Sequence, residues 1–131
     1  MKDSIFTKIV KRELPAEVLY EDDTVIVILN RFPNIPGETL VISKRQVPYI
    51  FDLVSDEYDH LLRISKMMAH ALDRTFATLR TCMVVEGFDV PHVHVRLYPV
   101  IEEHLDLSQG PEASDEELKE VGDKIRQHIK H

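Results

Sequence analysis

Pro91-His92-Val93-His94-Val95-Arg96-Leu97-Tyr98-Pro99 is the stretch on which the fold reading turns. Polar and apolar residues alternate with period two. On a β-strand this puts His92, His94, Arg96 and Tyr98 on one face and Val93, Val95 and Leu97 on the other, toward a core. Strand rise sets the two imidazoles about 7 Å apart with a guanidinium beside them. A neutral imidazole can attack phosphorus, and a cation balances charge on phosphoryl oxygens. The same residues admit plainer readings. A histidine on a strand is commonly a surface or half-buried group. His-Val-His at i and i+2 is also half of a metal site that needs a third or fourth ligand. The rest of the chain must decide.

The 131 residues make one domain, 1–131, long enough to bury a core. Sixteen Lys and Arg against 23 Asp and Glu give a net charge of −7, which lacks the basic footprint of a nucleic-acid-binding domain. Cys82 is the lone cysteine, so no intramolecular disulfide framework and no CxxC zinc motif is expected. No apolar run reaches membrane-spanning length, and Met1-Lys2-Asp3-Ser4 opens no signal-like apolar region. A soluble, cytoplasmic protein with neither nucleic acid nor membrane as partner is the expectation.

Working outward, Ile5, Phe6, Ile9 and Val10 lie at helical spacing over residues 3–13, with Asp3 or Ser4 as N-cap and Leu14-Pro15 as the stop. Val18-Leu19-Tyr20 and Val25 to Leu29 flank the turn-like Glu21-Asp22-Asp23 as a hairpin, and Thr39 to Ile42 form a third strand. Ser55 reads as the N-cap of a long helix over roughly 56–76, whose Tyr58, Leu61, Leu62, Ser65, Met68, Ala69, Leu72 and Phe76 share a face. Met67 and Met68 read as core packing, and His60 and His70 as solvent-side residues without function. Cys82 to Val85 and His92 to Val100 are two more strands. Ser114-Asp115-Glu116-Glu117 is a capping box that opens a C-terminal helix to about residue 129. The sum is an α+β pattern.

Three collinear segments resemble the histidine triad (HIT) superfamily of nucleotide hydrolases and transferases. Ser4 to Val10, with Leu14-Pro15-Ala16 and Tyr20-Glu21-Asp22-Asp23, is similar to the family's opening. Leu29-Asn30-Arg31-Phe32-Pro33, with Pro36-Gly37 and Leu40-Val41-Ile42, is similar to its ribose-side segment, and residues 91–99 to the signature itself. The resemblance covers about residues 3–100 and leaves 101–131 as a tail and C-terminal helix. It implies a five-stranded antiparallel sheet with a long central helix, commonly paired as a homodimer into one continuous sheet. It also implies nucleotidyl transfer on a small-molecule nucleotide, without a cofactor. His94 would attack the α-phosphorus and form a nucleotidyl-imidazole that water hydrolyses, and His92 would orient His94. Asn30 stands at the position that binds the ribose hydroxyls. Ile5, Phe6, Ile9 and Ile28 stand at apolar positions that sandwich the base, although the same apolarity serves plain core packing.

The chain departs from the family pattern at four places. Arg96 replaces the third histidine; a guanidinium can clamp phosphate oxygens but cannot act as a general acid near neutral pH. Glu38 replaces the histidine after Pro-Gly; a Glu38–Arg96 ion pair is expected as compensation, the rival being two solvent-facing side chains with little net interaction. In Glu86-Gly87-Phe88-Asp89, Phe88 takes the place of a phosphate-gripping Gln and Asp89 that of a hydroxyl, which should repel a polyphosphate. Ser4, Thr7 and Gln46 replace the zinc ligands of some branches, so no structural metal is expected. The leading expectation is an enzyme that cleaves a nucleoside phosphate derivative through His94. The alternatives are a catalytically weak nucleotide-binding module and a His-x-His metal site.

Overall fold

The computed structural model of the chain describes residues 2–131. The order of elements is α1 (Ile5–Val10), β1 (Val18–Glu21), β2 (Val25–Leu29), β3 (Thr39–Ser43), a short 3₁₀ turn (Ile50–Asp52), α2 (Ser55–Phe76), β4 (Arg80–Val84), β5 (His94–Val100) and α3 (Asp115–Arg126). The five strands form one antiparallel sheet in the order β1-β2-β3-β5-β4. This is the α+β architecture that the pattern of elements implied.

The sheet is covered on both faces. Val25, Val27, Leu29, Val41, Val95 and Leu97 pack against Leu61, Ile64, Met68 and Leu72 of α2 and Leu118 and Ile125 of α3. Ile26, Ile28, Leu40 and Ile42 face the other way, against Phe6 and Ile9 of α1. Strands buried on both faces need apolar side chains at consecutive positions, which is why β2 reads Val-Ile-Val-Ile-Leu without alternation. Short α1 covers only part of its face. The rest of that face, where His94 and Arg96 emerge from β5, remains available for a site.

Several boundaries differ from the sequence expectation, each for a local reason. Helix α1 stops at Val10, because Arg12 turns left-handed (φ 64) and two reverse bonds, Arg12 N–H to Ile9 O and Glu13 N–H to Lys8 O, close a Schellman cap. Ser4, and not Asp3, is its cap, accepting the Thr7 N–H. Val54 is the N-cap of α2. The preceding 3₁₀ turn hands the chain over in extended form at Val54, so Ser55 is already helical and its hydroxyl caps nothing. Helix α3 keeps its capping box but ends at Arg126, whose guanidinium reaches across to Val18 O (2.8 Å) and Glu17 (2.6 Å) and ties α3 to β1. Strand β5 begins at His94. His92 precedes it in a bend held by His92 N–H to Val90 O and Val93 N–H to Val47 O, so His92 does not share the strand face of His94.

Residues 101–114 carry no regular structure, yet they are fastened at several points. Asn34 donates to Ser108 O (2.9 Å), Gly110 N–H to Phe32 O (3.2 Å) and Ala113 N–H to Arg31 O (2.8 Å). This strap lies so close over the 31–34 loop that a Cβ at Gly110 would collide with the backbone of Pro33. Gly110→Ala therefore should displace the strap and lower stability by about 1–3 kcal/mol, read as a reduced urea midpoint with little change in m-value.

Candidate functional site

His94 and Arg96 alternate on the open face of β5, opposite Ile42 and Leu40 of β3. They line a cleft of about 490 Å³ together with Asn30, Glu38, Glu86, Asp89, and Leu107, Ser108 and Gln109 of the strap. A second cleft of about 420 Å³ holds Ile5, Phe6, Ile9, Ile28 and the Glu17, Glu112 and Asp115 carboxylates. Ile5, Phe6, Asn30, Phe32 and Leu40 line both, so the two are parts of one continuous groove. Its inner half is polar around His94, and its outer half is an apolar slot. Of the ten sequence-derived site residues, nine line this groove; His92 does not.

His92 lies beneath the site, 0 % exposed, with both ring nitrogens engaged. Its Nε2 is 2.6 Å from the Ser43 carbonyl oxygen, and its Nδ1 is 2.6 Å from the Ser4 hydroxyl. A carbonyl can only accept, so Nε2 carries the proton. The backbone carbonyl of His92 in turn meets Nδ1 of His94 at 2.7 Å. That fixes the His94 proton on Nδ1 and leaves Nε2 with a free lone pair. Phe6 stands edge-on to both rings, with centroids at 5.6 and 4.8 Å. Because both His92 nitrogens are taken, the two imidazoles do not form a metal pair. Among the described residues, no cluster of three or more His, Cys, Asp or Glu side chains could hold a metal ion.

Burial holds the His94 imidazole below the ordinary histidine range, and the Arg96 cation adds to this. The bond to the His92 carbonyl and the carboxylates of Glu86 and Asp89 pull the other way. Burial also lowers His92, against the bond to Ser43. Both rings are thus disposed to be neutral at neutral pH, the state in which an imidazole nitrogen is nucleophilic.

The expected Glu38–Arg96 pair does not form. Glu38 is 2 % exposed; its carboxylate accepts the Asn30 side-chain amide (2.6 Å) and the Asn34 N–H (2.8 Å), which turns it into its own 30–38 loop. Arg96 instead meets Glu86 at 3.5 Å and donates to Leu107 O (3.2 Å), and its guanidinium lies 5.5 Å from the Tyr98 ring centre. Two donors of its own loop, the Asn30 amide and the Asn34 N–H, satisfy Glu38 before Arg96 could reach it, and the β4–β5 hairpin brings Glu86 back beside Arg96. Beneath them the Tyr98 hydroxyl is buried without a hydrogen-bond partner; burial and the Glu38 charge push its pKa up to about 12.

Sequence reasoning missed Glu86, Phe32, Leu40 and the strap residues Leu107, Ser108 and Gln109. Glu86 had a weak signal, since a strand pairing Val84 with Arg96 returns residue 86 to that neighbourhood. The strap had none, because an irregular segment has no periodicity to read. Ser4, Thr7 and Gln46, noted as poor zinc ligands and Ser4 also as a helix cap, meet in one hydrogen-bonded cluster with His92.

A model of the HIT domain matches residues 11–102. The chain is 29 % identical over 126 residues to a HIT-like protein of Methanocaldococcus jannaschii, covering 93 % of this chain and 98 % of that one. It is 24 % identical over 102 residues to the purine nucleoside phosphoramidase of Escherichia coli K12, covering 73 % and 86 %. A crystal structure of a HIT-like protein from Bartonella henselae, described as involved in cell-cycle regulation, superposes with a TM-score of 0.87 at 26 % identity, over 97 % and 96 % of the two chains. The α+β fold and the groove around His94 thus define a histidine triad domain. The protein belongs to the HIT family, as a member with Arg96 in the third triad position.

The lowered histidines set a pH dependence. Below the unfolded-state pKa of 6.5 the unfolded chain binds protons that buried His92 and His94 refuse. Stability therefore falls as pH drops through that value, and the slope ends only below the folded-state pKa values. Denaturation series between pH 8 and 5 should show stability flat above about 7 and falling below about 6.5, by at most ~1.4 kcal/mol per pH unit for each histidine. His94→Asn should make the fall shallower.

Proposed function

We propose that the protein is a hydrolase or nucleotidyl transferase that cleaves a nucleoside phosphate derivative at the α-phosphorus, with His94 Nε2 as nucleophile. The observation that carries this reading is the clamp on His94. Its Nδ1–H is held by a backbone carbonyl, so an unprotonated Nε2 faces the polar half of the groove. In the first step Nε2 forms a bond to phosphorus as the leaving group departs with the electron pair of its own bond, an amine leaving group taking its proton from solvent. In the second, water attacks phosphorus, the P–N bond returns its electrons to Nε2, and the water's surplus proton passes to solvent. The relative named as a phosphoramidase in Escherichia coli supports a phosphorus–nitrogen or related bond as the one broken.

The remaining residues fit that chemistry. The apolar slot of Ile5, Phe6, Ile9 and Ile28 suits a base. The Asn30–Glu38 pair suits ribose hydroxyls, since its carboxylate accepts O–H and its amide keeps a free N–H. Arg96 supplies positive charge toward phosphoryl oxygens, tempered by Glu86, and it cannot protonate a leaving group. With the Glu86 and Asp89 carboxylates lining the same cleft, a compact leaving group of low negative charge fits better than a polyphosphate chain. That Arg96 is already engaged by Glu86 and Leu107 favours one second reading, a nucleotide-binding module with little turnover.

Turnover of AMP phosphoramidates, dinucleoside polyphosphates and adenylylated adducts separates the two. The enzyme reading expects hydrolysis that His94→Ala reduces by roughly 10³-fold or more and Arg96→Ala by roughly 10²–10³-fold, with Arg96→Lys between. Micromolar binding with no turnover above the His94→Ala background would leave the binding module.

We also infer a homodimer built through the free edge of β4. That edge exposes Leu79, Met83 and Val85, the last two beside Tyr49 and Phe51, an apolar margin with unpaired backbone groups. Light scattering should give a dimer mass for the natural chain and a monomer mass for Met83→Lys.

A further inference from the structure

The N-terminal segment meets His92 through a chain of hydrogen bonds whose proton directions are all determined. At one end Gln46 Nε2 donates to Lys2 O (2.7 Å), and Gln46 Oε1 accepts the Ser4 N–H (2.8 Å), which settles the orientation of that amide. The same Oε1 accepts the Thr7 hydroxyl at 2.6 Å. At the other end the Ser43 carbonyl requires a proton on His92 Nε2. The neutral ring then has only a lone pair at Nδ1, so the Ser4 hydroxyl must donate its single proton there, at 2.6 Å, while its oxygen accepts the Thr7 N–H at 3.1 Å. The alternative is a doubly protonated His92. It would bury a cation at 0 % exposure with no hydrogen-bonded carboxylate, and it would turn the Ser4 proton toward Thr7 Oγ1 at 3.4 Å, a far longer contact than the 2.6 Å to His92.

We propose that Ser4, the cap of α1, is a positioning residue for His94: its hydroxyl proton locks the tautomer and ring plane of His92, whose backbone carbonyl aims His94. The inference rests on the reading of His94 as the nucleophile and adds a residue 90 positions away to its apparatus. Without the Ser4 donor, His92 can take its proton on Nδ1. Its Nε2 lone pair would then oppose the Ser43 carbonyl, and the ring must leave its place. The residue-91 to residue-94 bend moves with it, and with it the carbonyl that holds His94 Nδ1–H. Phe6, in the first turn of the same helix and edge-on to both imidazoles, makes the docking of α1 and the aim of His94 one event.

Ser4→Gly is the informative variant, because glycine is nearly as good an N-cap as serine while lacking the hydroxyl. Long-range ¹H–¹⁵N spectra of the imidazoles should show the natural chain's His92 protonated at Nε2 with a bare Nδ1, and in Ser4→Gly a mixture of tautomers. The single-turnover rate of His94 modification by an AMP phosphoramidate should fall about 10- to 100-fold in Ser4→Gly, with substrate affinity changed less than threefold. Ser4→Thr, which restores the hydroxyl, should recover most of the rate. Thr7→Val, which cuts the bond to Gln46 but leaves Ser4 on His92, should keep both the tautomer and the rate within a fewfold. A His92 that is protonated at Nδ1 in the natural chain, or that keeps its tautomer in Ser4→Gly, overturns the proposal. So does a Thr7→Val variant as slow as Ser4→Gly, which would mean that the cluster only holds α1 in place. If no nucleotide ever modifies His94, the functional reading fails, whereas the His92 spectra still decide whether Ser4 sets the tautomer.

Discussion

A buried imidazole with no freedom left is the constraint on which the site depends. His92 gives its Nε2 proton to the Ser43 carbonyl and takes the Ser4 proton at Nδ1. Its own backbone carbonyl is thereby held where His94 Nδ1–H can bond to it. Each ring nitrogen of a histidine can be donor or acceptor, and an isolated ring samples both tautomers. Three successive contacts remove that choice, and the result is one unprotonated nitrogen, His94 Nε2, directed at the groove. The low dielectric that favours neutral rings is supplied by the same packing, with Phe6 of α1 against both of them.

The substitutions that distinguish this chain rearrange charge around that fixed point. Glu38 is absorbed by Asn30 and the Asn34 amide, so it strengthens the loop that carries Asn30 and leaves Arg96 free of it. Arg96 is held from the other side by Glu86 and from above by the strap carbonyl of Leu107. A guanidinium restrained in this way is an oriented cation with part of its charge already balanced. It can stabilise negative charge that develops on a phosphoryl group, but it cannot exchange protons as an imidazole would. Any proton that a leaving group needs must therefore come from elsewhere than Arg96, such as solvent.

Much of the fold was legible because it rests on periodic patterns. The unbroken Val25–Leu29 run, the 3.6-residue spacing of Leu61, Ser65, Met68 and Leu72, and the capping box at Ser114 each report local physics that the tertiary structure did not override. Boundaries were less legible. Ser55 lost the cap position to Val54 and β5 began two residues late, since both depend on neighbours distant in sequence, the 3₁₀ turn and Val47. At the site, His94, Arg96, Asn30 and the apolar slot could be read from alternation and motif. The partner of Arg96 could not, because side-chain pairing is decided by which acceptor is nearer in space. The strap could not either: nothing in residues 101–114 announces that they return over Pro33 and contribute Leu107, Ser108 and Gln109 to the groove.

The central claim is that His94 Nε2 becomes bonded to phosphorus. Rapid quenching of the protein with an AMP phosphoramidate, followed by mass spectrometry of the peptide that holds residues 91–99, tests it directly. The account predicts a mass increase of one adenylyl group, located on His94, that forms and decays at rates compatible with turnover and is absent from His94→Ala. Turnover that proceeds with no adduct on His94, or an adduct on another residue, would contradict it.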